Sequence, residues 1–303
     1  ELFIEGEFRT TLDRREFLRC DCTSADGARL LIFFTDESFR KLNDAPMWLM
    51  DGTFKTVSPL FEQLYTIHGY LHGHVFPFVY CLMTRRTQMA YEALFEEVLN
   101  FAADMGLALN PKTVSTDFEL AAINAIRSLL PSSDVHGCLF HLCQSVWRRV
   151  QHLGLAVLYK NDVGGFAIKV QQLAALSFGP TEEVRDAYAC LKPLFPQEAS
   201  DLLRWWEETT CLGNHAAVSP AFPPSLWNVL ALAQNGFPRG NNAVEAWHRR
   251  WEILVGGHHV SVFRLITTMK REQARVEDDI QGAIRGQPRR SQSKKQKLRE
   301  NRL

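Results

Sequence analysis

Three acidic residues stand where carboxylates could be brought together: Asp51 in Trp48-Leu-Met-Asp51-Gly-Thr-Phe54, Asp117 in Val114-Ser-Thr-Asp117-Phe-Glu119, and Glu245 in Asn241-Asn-Ala-Val-Glu245-Ala-Trp-His248. With 34 Asp and Glu in 303 residues, an acid alone means little, because most sit on solvated faces. Context separates these three. Met47 to Met50 is an apolar run too short for a helix and suited to a buried strand, and Gly52 is expected to turn the chain sharply behind Asp51. Thr113 to Thr116 is strand-like and β-branched, and apolar residues at 120, 123, 126 and 130 then follow helical spacing, so Asp117 is expected at a second strand end. Asn241 and Asn242 offer a helix N-cap, and Val244 to Trp251 runs on without a breaker, which puts Glu245 on a helix. Such a trio could hold two hard divalent cations, Mg²⁺ or Mn²⁺, which lie roughly 3.5–4 Å apart in paired sites. One cation would activate a water or a 3′-hydroxyl and the other would stabilise the leaving oxygen, which is phosphoryl-transfer chemistry. Singly, each acid reads better as a cap or turn residue; together, the three contexts favour ligands.

Around these acids the chain resembles the transposase domain of the Mutator-like element (MULE) superfamily. The resemblance rests on Asp51-Gly-Thr-Phe-Lys55, Leu64-Tyr-Thr-Ile-His68 with Val79-Tyr-Cys-Leu82, Thr116-Asp-Phe-Glu119, Gly137-Cys-Leu-Phe-His-Leu-Cys-Gln144 and Asn241-Asn-Ala-Val-Glu245. It covers about residues 30 to 260. It implies an α/β, RNase H-like fold, a mixed five-stranded sheet flanked by helices, with a DDE triad at Asp51, Asp117 and Glu245 and a Cys-x-x-His element at Cys138 and His141. The activity it implies is metal-dependent DNA strand cleavage and strand transfer. DNA is then the partner, with a homo-oligomer at paired DNA ends, a nuclear location, no membrane and no small-molecule substrate. The alternative is a domesticated nuclear derivative that binds DNA or chromatin without cutting. A plain RNase H-like nuclease is disfavoured by the long interval between the second and third acids.

Other residues are candidates for supporting roles. His248 lies one turn after Glu245 and could orient a ligand or meet phosphate, and Arg249, Arg250 and Lys55 could contact a DNA backbone or simply be solvated. Cys138 and His141 are either part of a zinc site or a buried structural pair, the second being favoured. The seven cysteines, at 20, 22, 81, 138, 143, 190 and 211, form no disulfide framework by number or spacing, and Cys20 and Cys22 read as structural or incidental. Formal charge is zero overall, but residues 285–303 carry eight basic side chains against Glu300 alone. That tail, with Arg289, Arg290, Lys294, Lys295 and Lys297, is expected to be disordered and either solvated or engaged with phosphate or nuclear import. The chain begins at Glu1 rather than Met, which leaves room for a DNA-binding module ahead of it.

The elements that must position the acids follow from patterning. Residues 1–28 read as a lead-in and 29–141 as the first part of the core: a strand at 29–35, a short helix at 37–43, and strands at 47–50, 61–68 and 75–82 forming a meander, the last two joined through Gly69 to Gly73 as a hairpin. A helix from 88 to 105 then crosses to the Asp117 strand, and 136–140 supplies a fifth strand. Residues 142–240 lose strand alternation and read as an all-α insertion, 241–284 as the final core helices, and 285–303 as the tail. Trp147, Trp205, Trp206 and Trp227 within the insertion read as core in preference to base-stacking platforms.

Overall fold

In the computed structural model, residues 2–211 and 220–286 are described. They hold seven strands: β1 (Leu18–Thr23), β2 (Arg29–Phe33), β3 (Met47–Thr53), β4 (Gln63–Leu71), β5 (His74–Met83), β6 (Thr113–Thr116) and β7 (Asp134–Gly137). All belong to one mixed sheet in the order β1-β2-β5-β4-β3-β6-β7. Twelve α-helices accompany them: α1 (Asp36–Asp44), α2 (Gln88–Asp104), α3 (Leu120–Leu129), α4 (Leu139–His152), α5 (Ala156–Lys160), α6 (Phe166–Ala175), α7 (Val184–Leu191), α8 (Ser200–Trp206), α9 (Pro224–Trp227), α10 (Leu230–Gln234), α11 (Asn242–Val255) and α12 (Val262–Ile284).

The expected meander and crossover are present. β3, β4 and β5 pair antiparallel in succession, and β3 pairs β6 in parallel across the α2 crossover. The β4–β5 turn is tighter than expected, however. Both strands run on to His72 and Gly73, whose φ values of 50° and 77° make the two-residue turn that matches strand twist. Gly69 is not part of that turn. It lies inside β4, where an added Cβ would come 2.7 Å from the Phe78 ring and 2.8 Å from the Ala45 Cβ. Across from it β5 carries a register shift beside Pro77, which has no N–H to give to the ladder.

Three expectations need correcting. The sheet has seven strands, not five, because the lead-in contributes β1 and both β1 and β2 extend the meander beyond β5. The last strand ends at Gly137, so residues 139–140 open α4, and the boundary expected at 142 falls inside that helix. Gly52 makes no turn, since β3 continues through it to Thr53 and Asp51 stands within the strand. A Cβ at Gly52 would come 2.3 Å from Gln63 Oε1, so close packing against β4 explains the glycine.

Strand alternation assigns the two faces of the sheet. Trp48 and Met50 of β3 pack with Leu94, Val98, Ile123 and Ile126 of α2 and α3. Met47 and Leu49 pack on the other face with Val229, Leu232 and Val244. Asp51 continues that second series and so looks toward α11. Helices α4 to α8 share a further core built on Leu142, Val150, Phe166, Leu173 and Trp206. Trp206 and Trp227 are fully buried with ring centroids 5.6 Å apart, which leaves neither free to stack on a base.

Candidate active site

The β3–β6 register aligns Leu49 with Ser115, and two further residues along each chain bring Asp51, on β3, beside Asp117, one residue past the end of β6. Asp117 lies in the turn between β6 and α3. That turn is set by Phe118, whose ring covers Gly137 so closely that a Cβ there would lie 2.6 Å from it. Glu245 comes from the first turn of α11, a position where the helix dipole favours a carboxylate. The expected side-chain cap is not made: both polar atoms of the buried Asn241 side chain lack hydrogen-bond partners. The Asn241 N–H instead donates to Cys138 Sγ at 3.1 Å, and the Asn241 carbonyl accepts from the Glu245 N–H at 2.7 Å. Cys138 therefore ties the start of α11 to the end of β7.

His141, three residues on, reaches the acids themselves. Its Nε2 lies 3.5 Å from Glu245 Oε1 and 3.9 Å from Asp51 Oδ2, while His248 Nδ1 is also 3.9 Å from Asp51 Oδ2. Among the described residues, ligand atoms of Asp51, Glu245 and His248 all fall within 4.8 Å of one another, as befits a shared cation. Asp51 Oδ2 is buried without a hydrogen-bond partner, and Asp51 Oδ1 accepts only from the Gly52 N–H at 2.9 Å. A buried carboxylate oxygen with no partner is costly unless something electropositive meets it, so these residues fit a hard divalent ion. Asp117 stands outside that compact set, and Cys138 with His141 joins no three-ligand cluster among the described residues.

The electrostatics show how tightly the groups are coupled. Burial pushes the Asp51 carboxyl up to about 7, with His141 opposing and the charges of Asp117 and Glu245 adding to the rise. Burial also raises Asp117, against His141. Glu245 goes the other way: burial alone would raise it, but the hydrogen bond to His141 and the charges of His248, His141 and Arg249 hold it below its ordinary value. Burial works against the His141 imidazolium, yet Cys138, Glu245 and Asp51 raise it to about 11. Burial takes His248 down to about 4, leaving it neutral at pH 7. A cation held near Asp51 would meet one ionised acid, one poised acid and a neutral imidazole.

Asp117 lines an adjoining cavity of about 370 Å³ together with Glu119, His141, Arg86 and Arg148. Glu119, the residue before α3, makes no side-chain cap; it accepts from Tyr91 Oη at 3.1 Å and lies 3.8 Å from Arg86. Arg86 also sits over the Phe54 ring at 4.8 Å. Neither Arg86 nor Arg148 was singled out by sequence reasoning, because only the fold brings the β5–α2 loop and α4 to one cavity. The other expected DNA contacts divide. Arg249 is exposed on α11, Lys55 is exposed and 3.7 Å from Glu252, and Arg250 turns inward to pair with Glu272, whose side chain is fully buried. Arg289, Arg290, Lys294, Lys295 and Lys297 lie outside the described residues.

The model of the MULE transposase domain family matches residues 47–145. That stretch is a MULE transposase domain. The match contains Asp51, Asp117, Cys138 and His141 and ends well before Glu245, so the third acid is joined to the transposase domain by the packing of α11. A search of curated proteins finds no match to the chain. A transposase domain implies DNA as the interacting polymer. No helix among the described residues is long and apolar enough to cross a membrane.

Proposed function

We propose that this chain is the catalytic domain of a DNA transposase, an RNase H-like DDE enzyme that cleaves and joins DNA strands with Mg²⁺ or Mn²⁺. The observation that carries the proposal is the unpartnered, buried Asp51 Oδ2 in ligand range of Glu245 and His248. The order β5-β4-β3-β6-β7, three antiparallel strands followed by two parallel ones, supports the RNase H-like reading, with β2 and β1 as edge additions. Asp51 and Glu245 would hold a cation with His248 beside them, and Asp117 would approach from the cavity side, where a second ion or the scissile phosphate would sit. Bound divalent ions supply nucleophile activation and charge stabilisation in phosphoryl transfer. The chain's own contribution is to exclude water around Asp51 and to offer Arg86 and Arg148 to the phosphate backbone. The reading extends to a homo-oligomer at paired DNA ends and to a nuclear location, for which the basic tail is the sequence support.

One observation favours the non-cutting, domesticated alternative. The His141 imidazolium lies 3.5 Å from Glu245 and 3.9 Å from Asp51, and so offsets part of the acid charge without metal. Strand cleavage and joining by the purified full-length protein with Mg²⁺, beside Asp51→Asn, Asp117→Asn and Glu245→Gln, separates the two readings. Activity in the wild type alone supports the enzyme; equal activity in all four sinks the triad; none in any leaves the DNA-binding alternative.

A further inference from the structure

On the opposite face of the sheet, a second cluster has ligand chemistry that the transposition reading leaves unused. Cys20 and Cys22 are two residues apart on β1, so their side chains share one face, and their ladder partners Ile32 and Leu30 lie in the core beneath α2. Glu97 projects from α2. Its position continues the series Ala90, Leu94, Phe101 at helical spacing, a stripe otherwise apolar and packed on the sheet. The two thiols and the Glu97 carboxylate offer donor atoms within 4.8 Å of one another, and all three residues are half-buried. A tetrahedral ion with bonds of about 2.3 Å to sulfur and about 2.0–2.2 Å to oxygen needs donors roughly 3.5–3.8 Å apart, a spacing that side chains on a strand and an adjacent helix reach by rotamer adjustment.

We propose that Cys20, Cys22 and Glu97 form a binding site for a borderline-soft divalent cation of the zinc class, with water in the fourth position. Thiolate donors select against Mg²⁺ and Mn²⁺, so this site and the Asp51 site would discriminate between metals. The two are also distant: β1 is four strands from β3, roughly 19 Å at about 4.8 Å per strand, and the clusters face opposite ways. Among the described residues β1 has a ladder partner on one side only, so an ion shared with α2 would clamp the outer strand onto the helix layer.

The test is a Co²⁺ titration of the reduced full-length protein, followed by the thiolate-to-cobalt absorption that carboxylate and imidazole ligands do not give, with Zn²⁺ competing. The expected result is a band saturating at about one Co²⁺ per chain and bleached by Zn²⁺. Cys20→Ser and Cys22→Ser should each abolish it, Glu97→Gln should weaken binding about tenfold or more, and Cys138→Ser should leave it unchanged. Absence of the band, its survival in the Cys20→Ser/Cys22→Ser double variant, or oxidation of the pair to a disulfide in place of metal uptake would overturn the proposal. If the serine variants fail to fold, Zn²⁺ protection of the wild-type thiols from alkylation decides: slowed modification of Cys20 and Cys22 supports the site, and unchanged rates refute it.

Discussion

The two regions that supply the acids are built in different ways. Asp51 lies on β3 and Asp117 just past the end of β6, so the hydrogen-bonded parallel ladder that holds these two strands in register brings the two residues side by side. Glu245 is placed by long-range packing of α11. The helix is fastened by Trp247 and Trp251, which pack with Leu64, Tyr80, Leu82 and Leu265, by Trp247 Nε1 donating to Glu272 at 2.8 Å, by Trp251 Nε1 donating to Thr56 at 3.0 Å, and by the Cys138 tether. A ladder resists single substitutions because many backbone bonds share the task. A docked helix depends on a few side chains, so the third acid is the vulnerable part of the site.

The largest effect should come from removing the carboxylates. Asp51→Asn, Asp117→Asn or Glu245→Gln is expected to lower Mg²⁺-dependent strand cleavage by roughly 10³-fold or more while leaving circular dichroism unchanged. Next, the anchors of α11 should matter more than their distance from the acids suggests. Trp247→Ala is expected to cost about 3–5 kcal/mol in denaturant unfolding and to reduce cleavage with it. Arg250→Ala should cost a similar 3–5 kcal/mol, because Glu272 would keep a buried charge without its partner. If Arg250 acts only on DNA, affinity would fall and stability would not. On the ladder side, Gly69→Ala should cost about 1–3 kcal/mol by forcing the Phe78 ring and Ala45 apart, yet leave cleavage per folded molecule unchanged.

A smaller effect is expected with pH in metal-free protein. Asp51 titrates in the fold at about 7, above its ordinary value, so its protonated form is favoured by folding and that contribution fades as pH rises through 7. His141, raised to about 11, contributes stability that is complete below about 6.5 and likewise lost on the way up. Asp51 therefore gives a falling slope from the ordinary carboxylate range up to about pH 7 and His141 one from about 6.5 upward, so the two overlap only near pH 6.5–7 and His141 alone carries the slope above it, by up to about 1.4 kcal/mol per pH unit for each proton involved. Thermal unfolding in chelator should show this slope, and Asp51→Asn should flatten it near pH 7.

The same contrast explains what could be read from the sequence. The meander, the α2 crossover and the adjacency of the two aspartates are legible because apolar strands and helical spacing are local signals. β1 falls in the lead-in although Leu18, Cys20 and Cys22 alternate with polar residues, since a six-residue run with one leucine and two cysteines carries little apolar signal. Gly52 and Gly69 suggested turns but serve close packing, a distinction that only neighbouring strands can make. The convergence of His141 and His248 on Asp51 depends on tertiary packing and leaves no local signal. The same is true of the Cys138 bond to Asn241 and the inward turn of Arg250.

Binding of Mn²⁺ to the chelator-stripped protein, measured by calorimetry with wild type, Asp51→Asn and Glu245→Gln side by side, tests the joining of the two regions most directly. Saturable binding in the wild type, lost in Asp51→Asn and weakened at least about tenfold in Glu245→Gln, is the predicted result. Equal Mn²⁺ affinity in wild type and Glu245→Gln would contradict it, since the helix-borne acid would then take no part in the cation site.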